Sequence, residues 1–253
     1  MSTYEKAFFS FTQILHSSDH RAYNRWHQLD HRPENLALTG VGSGERWVRT
    51  PECREISDFS PMFSELHYVN SYLFQSPANE AIIRWQELAE RSFQWGRRED
   101  IHLSQRLLME FFRPIRTYVS PNLRLSNDAL PHRPNRGIYL VATEEKDPRS
   151  TEAEKANAWW DSEYIPQQIR RTGVVGCMTF ASETNFSSHA DMVGVAAISS
   201  IRISVFYLDE DPLEVSKNFD LATKNSSSSI VLSAGPLLAI QPWSWDWFDP
   251  KSK

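Results

Sequence analysis

One segment occurs twice in the chain, and it constrains the fold more than any other feature. The first copy reads Arg25-Trp26-His27-Gln28-Leu29-Asp30-His31-Arg32-Pro33-Glu34, the second Ala158-Trp159-Trp160-Asp161-Ser162-Glu163-Tyr164-Ile165-Pro166-Gln167. In both, an acid follows the tryptophan at the fourth position and a proline at the seventh, while His27 and His31 give way to Trp160 and Tyr164. Each copy follows an apolar, strand-like run, Phe8 to Leu15 and Ile138 to Ala142. A self-match at this separation points to a duplicated module of roughly 100 to 130 residues rather than a short-repeat solenoid.

The chain around these segments fits one plan told twice. Ala7 to Leu15 reads as a strand, and Ser17-Ser18-Asp19 caps a helix from His20 to about Asp30. Pro33 disfavours helical geometry at Arg32, so the helix is expected to end or kink there. Gly40, Gly42 and Gly44 read as a turn, Glu45 to Thr50 as a short strand, and Glu65 to Gln75 as an alternating one. Pro77 suits a first helical position, and Ala81, Ile82, Trp85, Ala89 and Phe93 form a helical stripe. Leu107 to Tyr118 completes β-α-β-β-α-β, the ferredoxin-like order. Residues 1–120 are therefore expected to form a first module and 121–136, rich in proline, a linker. Residues 137–253 repeat the order, with Thr151 and Glu154 as a capping box, a loop through His189 and Asp191, and a cap at Asp211. The aromatic tail from Trp243 to Phe248 is expected to pack back on the body.

With a W-x-x-x-[DE]-[HY]-x-P segment after the first strand of each unit, the chain resembles the dimeric α+β barrel superfamily, and within it EthD-like proteins. The resemblance implies an α+β fold in which two tandem ferredoxin-like modules build, inside one chain, the barrel that usually takes two chains. It covers roughly residues 5 to 120 and 135 to 243. The superfamily includes cofactor-free monooxygenases, cyclases, isomerases, dehydratases and haem enzymes, so the fold cannot choose a reaction.

Composition excludes several function classes. A net charge of -5 with no clustered Lys/Arg stripe gives no footprint for nucleic acid. The sequence shows no basic segment leading into an apolar core, and no run near the ~18 apolar residues of a membrane span, so a cytoplasmic chain without membrane partners is expected. Cys53 and Cys177 make no disulfide framework and have no metal-ligand spacing. Aromatic residues are 12% of the chain, with nine Trp, which implies a thick core or an aromatic-walled cavity.

The histidines concentrate in the first module, at 16, 20, 27, 31, 67 and 102, whereas the second has only His189. His27 and His31 thus mark the first half as the chemically equipped one, since imidazole titrates near neutrality. Asp30 is placed to orient either ring, Tyr23 and His67 are polar contacts, and Trp26, His16 and Tyr68 are substrate contacts. Glu163, Tyr164 and His189 are the comparable set in the second half. The expected function is a cofactor-independent acid-base enzyme (a lyase, isomerase or cyclase ahead of a monooxygenase). Its substrate would be a hydrophobic, aromatic small molecule, and a homodimer is allowed. No cofactor and no metal are expected. The alternatives are a non-catalytic small-molecule binding or interaction protein, and a haem or metal enzyme of the same fold with His27 and His31 as ligands and Asp30 or His67 as a third.

Overall fold

The computed structural model describes residues 3–183, 200–219 and 228–249; His189 and Asp191 lie outside the described residues. Among the described residues there are nine strands: β1 (Tyr4–Ile14), β2 (Val41–Val48), β3 (Asp58–Phe59), β4 (Tyr68–Gln75), β5 (Ser104–Val119), β6 (Gly137–Glu145), β7 (Val174–Ser182), β8 (Ile201–Leu208) and β9 (Ser229–Ala239). They hydrogen-bond in the order β2-β4-β1-β5-β7-β8-β6-β9-β3, and a further pairing of β2 with β9 closes the sheet on itself. Every pairing is antiparallel. Apart from the two-residue β3, which pairs with β9, the strands before residue 120 lie as β2-β4-β1-β5 and those after 137 as β7-β8-β6-β9, so the two sets join at β5–β7 and at β2–β9. β5 makes one junction possible by its length, leaving β1 and continuing along β7.

Closure buries both faces of most strands, and the side chains divide between them by parity. On β1, Phe9 and Phe11 point into the barrel and meet Leu73, Val69, Phe112 and Phe180 in the largest core. The lumen is filled by side chains. Phe8 points the other way, joining Tyr72, Phe74, Phe111 and helix α4 (Ala78–Gln94). A third cluster packs α1 (His20–Trp26) on Val48 and Tyr68. A fourth sets the continuation of α5 (Thr151–Trp159), namely Trp160 to Tyr164 and α6 (Ile165–Gln168), with α7 (Pro212–Ser216), against β6 and β8.

Several local expectations are corrected. Only Gly40, at φ +90, makes a turn; Gly42 and Gly44 lie inside β2, where a Cβ would strike the rings of Tyr4 and Tyr72. Between the run ending at Thr50 and the one beginning at Glu65, Pro51–Glu55 forms a short helix, α3, capped by Thr50. Pro77 is the extended residue before α4 rather than its first turn, and Phe93, 66% exposed, is no part of the buried stripe. The cap of α5 is Ser150, whose hydroxyl accepts from the Ala153 amide, not Thr151. Asp211 does cap α7, accepting from the Leu213 amide. The tail packs back in part: Trp245 is buried and Phe248 stacks on His20, while Trp243 remains exposed. Among the described residues, no helix is long and apolar enough to cross a membrane.

Candidate functional site

The first helix does not end at Pro33. α1 runs into a π-helical turn, His27–His31, and then into α2 (Arg32–Leu36). Proline has no N–H, and its ring crowds the carbonyl four residues back, so an α-helical ladder cannot pass through it undisturbed. Here the ladder widens by one residue, and the Arg32 amide donates to the His27 carbonyl. The second segment does the same: Trp160–Tyr164 is a π turn, the Ile165 amide donates to Trp160, and Pro166 follows. The repeated tryptophan-to-proline spacing is therefore the signature of a helix with a π turn, a feature frequent at functional sites.

In the first copy the turn sets two imidazoles side by side, their ring centroids 5.0 Å apart and edge to face. His31 lies flat on Trp26, whose indole N–H donates to the Arg97 carbonyl at 2.8 Å. Asn35 bridges His31 Nε2 and the Tyr72 hydroxyl, each at 3.2 Å. Beneath them is the outer face of the sheet, where Ser10, Asn70 and Arg46 form one rung and Phe8 and Tyr72 flank it. Helix α4 closes the side with Trp85, and Arg98 and Ile101 close the end. These groups enclose a hollow of about 130 Å³.

A β-bulge completes the wall. The register of β1 with β5 slips between Phe11 and Thr12, so that Met109 pairs with Ser10 but Arg106 pairs with Thr12. Met109 and Arg106, of opposite parity in sequence, consequently both line the hollow.

The electrostatics are one-sided. Arg98 and Arg106 line the hollow, and Arg46 lies fully buried behind it, its guanidinium 4.3 Å from the centroid of Tyr68 and 5.0 Å from that of Tyr23. Arg46 Nη1 donates to Asn24 Oδ1 at 2.7 Å, but its Nε and Nη2 have no protein partner. Among the described residues none of the three makes an ion pair; Glu34, the nearest acid to act on Arg98, is engaged with Arg97. Burial, and then the charge of Arg46, holds His27 well below its ordinary value; burial, Arg98 and Arg106 do the same to His31. Both rings are thus neutral at physiological pH. Tyr72, by burial, is pushed up to about 12. His27 Nδ1, Asn70 Oδ1, Arg98 Nε and the indole N–H of Trp85 are buried without a protein partner, as is the Tyr23 hydroxyl beside them.

The residues singled out from sequence divide accordingly. His27 and His31 face the hollow, with Trp26 and Tyr23 packed behind them. Asp30 is exposed and orients neither ring; in a turn closing at the fifth residue, positions 27 and 31 share a side and 30 falls off it. His16 is exposed. His67 does not converge with His27: its Nδ1 accepts from the Ile14 amide at 3.0 Å, and it packs on His20 and Phe248 in a separate depression under the tail. Tyr68 is walled between the two places, its hydroxyl accepting from Asn24 at 2.8 Å and bonded to His20 Nδ1 at 2.9 Å. Sequence reasoning missed Arg46, Arg98, Arg106, Asn70 and Trp85. An arginine within the strand-like run from Glu45 to Thr50 was the available signal for Arg46.

Neither alternative cofactor fits. With Asp30 and His67 elsewhere, His27 and His31 have no third ligand, and no group of three His, Cys, Asp or Glu is gathered among the described residues. The hollow is far smaller than a porphyrin, so His27 and His31 face no slot that would take haem.

Under the second π turn the corresponding rung is Val141, Ser204 and Thr179. Trp160 lies over it, donating its indole N–H to the Ser204 hydroxyl at 3.0 Å and stacking on Tyr164 at 4.3 Å. Tyr164 is buried and packs against Phe206, and Glu163 is exposed. The space that holds imidazoles and a cavity in the first half is here filled by indole and phenol.

Neither a protein-family model nor a curated protein sequence matches the chain. Solved structures do match in fold. A candidate monooxygenase from Fusobacterium nucleatum subsp. nucleatum superposes with a TM-score of 0.56 at 8% identity, covering 94% of each chain. A candidate chlorite dismutase, TA0507, superposes with a TM-score of 0.53 at 11% identity, covering 97% of this chain and 98% of its own. The shared fold is the ferredoxin-like α+β barrel.

Proposed function

We propose that residues 1–120 and 137–253 are two copies of one βαββαβ module joined by a linker, and that the first is a proton-transfer enzyme. It acts, as lyase, isomerase or cyclase and with no cofactor, on an aromatic small molecule seated beneath α1. The modular reading rests on the matched strand orders and the two π turns. The enzymatic reading rests on one observation: His27 is buried, neutral, lines the hollow, and leaves Nδ1 without a partner.

In the tautomer that leaves the lone pair on this unpartnered Nδ1, a neutral imidazole is a base waiting for a proton. In the proposed step Nδ1 removes a proton from a carbon next to an electron-withdrawing group of the substrate. The electron pair moves onto the substrate oxygen as an enolate. The Arg106 and Arg98 guanidiniums meet that developing charge in a site poor in water, where preorganised donors act most strongly. The low proton affinity of His27 in the empty site is corrected by the same event, because a nearby anion raises the pKa of an imidazole. Elimination, isomerisation and cyclisation each continue from such an enolate. Trp26 and Asn35 hold His31 as a neutral second ring against the first. Asp30, His16, His67 and Tyr68 have no part in this site.

The test is exchange of the benzylic protons of phenylpyruvate in D2O, followed by proton NMR. The wild-type protein is expected to accelerate exchange over buffer, and His27→Asn to remove the acceleration. Equal acceleration by the variant, or none by the wild type, ends the assignment.

A further inference from the structure

Resting on the reading that the hollow beneath α1 is the working site, we infer that its ligand carries a permanent carboxylate: the site is built for a small, planar aromatic monocarboxylate. The geometry supplies both ends of such a molecule. At one end are the Arg98 and Arg106 guanidiniums, with Arg46 adding its field from behind. At the other are Phe8, whose ring lies 4.7 Å from that of Trp85, and Met109.

The inference comes from an imbalance of charge. Guanidinium stays protonated in proteins, so these three cations cannot relieve burial by giving up a proton as a lysine would. A buried charge without a counter-ion is strongly unfavourable. Elsewhere several part-buried arginines are paired, as Arg32 with Glu45 at 3.6 Å, Arg133 with Asp209 at 2.8 Å and Arg202 with Asp161 at 3.3 Å; Arg49, buried and without a carboxylate, donates from Nη1 to the Ser64 carbonyl at 2.9 Å. Around the hollow, Arg46 keeps two nitrogens and Arg98 one without any protein acceptor, and no described carboxylate pairs with Arg46, Arg98 or Arg106. His27 and His31 beside them are held neutral, by burial first and then by the surrounding positive charge, so they add no counter-ion. The missing acceptor is therefore the ligand's.

Three features select a carboxylate on a flat apolar body. The guanidinium fork matches the two coplanar oxygens of a carboxylate in a bidentate pair. The walls opposite are aromatic and thioether surfaces, suited to a ring face or edge. About 130 Å³ admits one ring system and little more.

The test is calorimetric titration with benzoate, with benzamide as its neutral counterpart and inorganic phosphate as a tetrahedral anion. Benzoate is expected to bind at least about tenfold more tightly than benzamide, the worth of one charge-assisted contact, and phosphate is expected not to displace it. Arg98→Met and Arg106→Met should each remove that preference. Each should also raise the melting temperature of the ligand-free protein, since a half-buried cation without a carboxylate partner is removed; an arginine kept for structure would lower it. Arg106→Gln serves the same comparison should a methionine variant not fold. Benzamide binding as well as benzoate, no benzoate binding at about 10 mM, displacement by phosphate, or unchanged benzoate affinity in the arginine variants would each overturn the inference. His27→Asn separates the two readings. It should still bind benzoate when its proton-exchange activity is gone; loss of benzoate preference with exchange intact would count against the carboxylate alone.

Discussion

Trp26 lies flat against His31, their ring centroids 4.9 Å apart and their planes 17° from parallel, while its indole N–H is tied to the carbonyl of Arg97. The tryptophan that defines the repeated segment thus works from behind the site. It fixes the orientation of one imidazole and fastens the helix to the chain entering β5. Trp26→Phe keeps a ring behind His31 but gives up the hydrogen bond, which should cost about 1 kcal/mol of stability with little change in phenylpyruvate exchange. Trp26→Ala should cost about 3 kcal/mol and lower exchange as well. Urea unfolding beside the exchange assay checks both.

The pH dependence of stability should carry the mark of the histidines under the tail. Burial, with Arg54 nearby, lowers His67 from 6.5 to about 4, and its Nδ1 must keep a lone pair to accept from Ile14. Above pH 6.5 the ring is neutral folded or unfolded and has no effect. As pH falls from 6.5 to about 4 the unfolded chain takes up a proton that the folded one refuses, so stability declines, by up to about 1.4 kcal/mol per pH unit before allowance for the ring's partial exposure. His67→Gln should show a shallower decline over that window. Glu110, raised by burial to about 7, acts in the opposite sense but is common to both proteins and cancels in the difference. Parallel slopes from denaturant titrations between pH 7 and 4 would contradict this.

Gly44 controls the shape of the hollow from below. A Cβ at this position would lie 2.6 Å from Tyr72 Cδ1 and 2.9 Å from a Leu36 methyl, so Tyr72 must move. Gly44→Ala is expected to lose about 1–3 kcal/mol through overpacking. It should also weaken benzoate binding, because Tyr72 lines the cavity. Unaltered thermal unfolding and binding would show that the ring shifts without consequence.

Trp160 stands where His27 stands in the other half, and it packs rather than reacts. Trp160→Ala should lower stability by about 2–4 kcal/mol, somewhat under the value for a fully buried tryptophan. It should leave phenylpyruvate exchange at the wild-type rate. A variant that lost exchange while still folded would place chemistry in the second half.

The sequence by itself determined the strands and their kind. β4 ends at Gln75 as the alternating run indicates, and β1 and β5 begin and end within a few residues of expectation, because period-two patterning and turn residues are local signals. It also showed the repeated segment and the asymmetry between His27/His31 and Trp160/Tyr164. At Pro33 it indicated an end or a kink, and the regular helix is interrupted there, but a proline says only that the α-helical ladder cannot continue unaltered, not whether the chain will stop or widen into a π turn. Its grouping of His67 with His27 failed because shared strand-and-helix neighbourhood does not fix which depression a side chain enters. Only the tertiary structure could bring Arg46, Arg98 and Arg106 together. They lie on β2, in a turn, and on β5 beyond a bulge that reverses the expected parity. Charge imbalance in a cavity is a property of what packs around it, and the sequence records each arginine without recording the absence of an acid beside it.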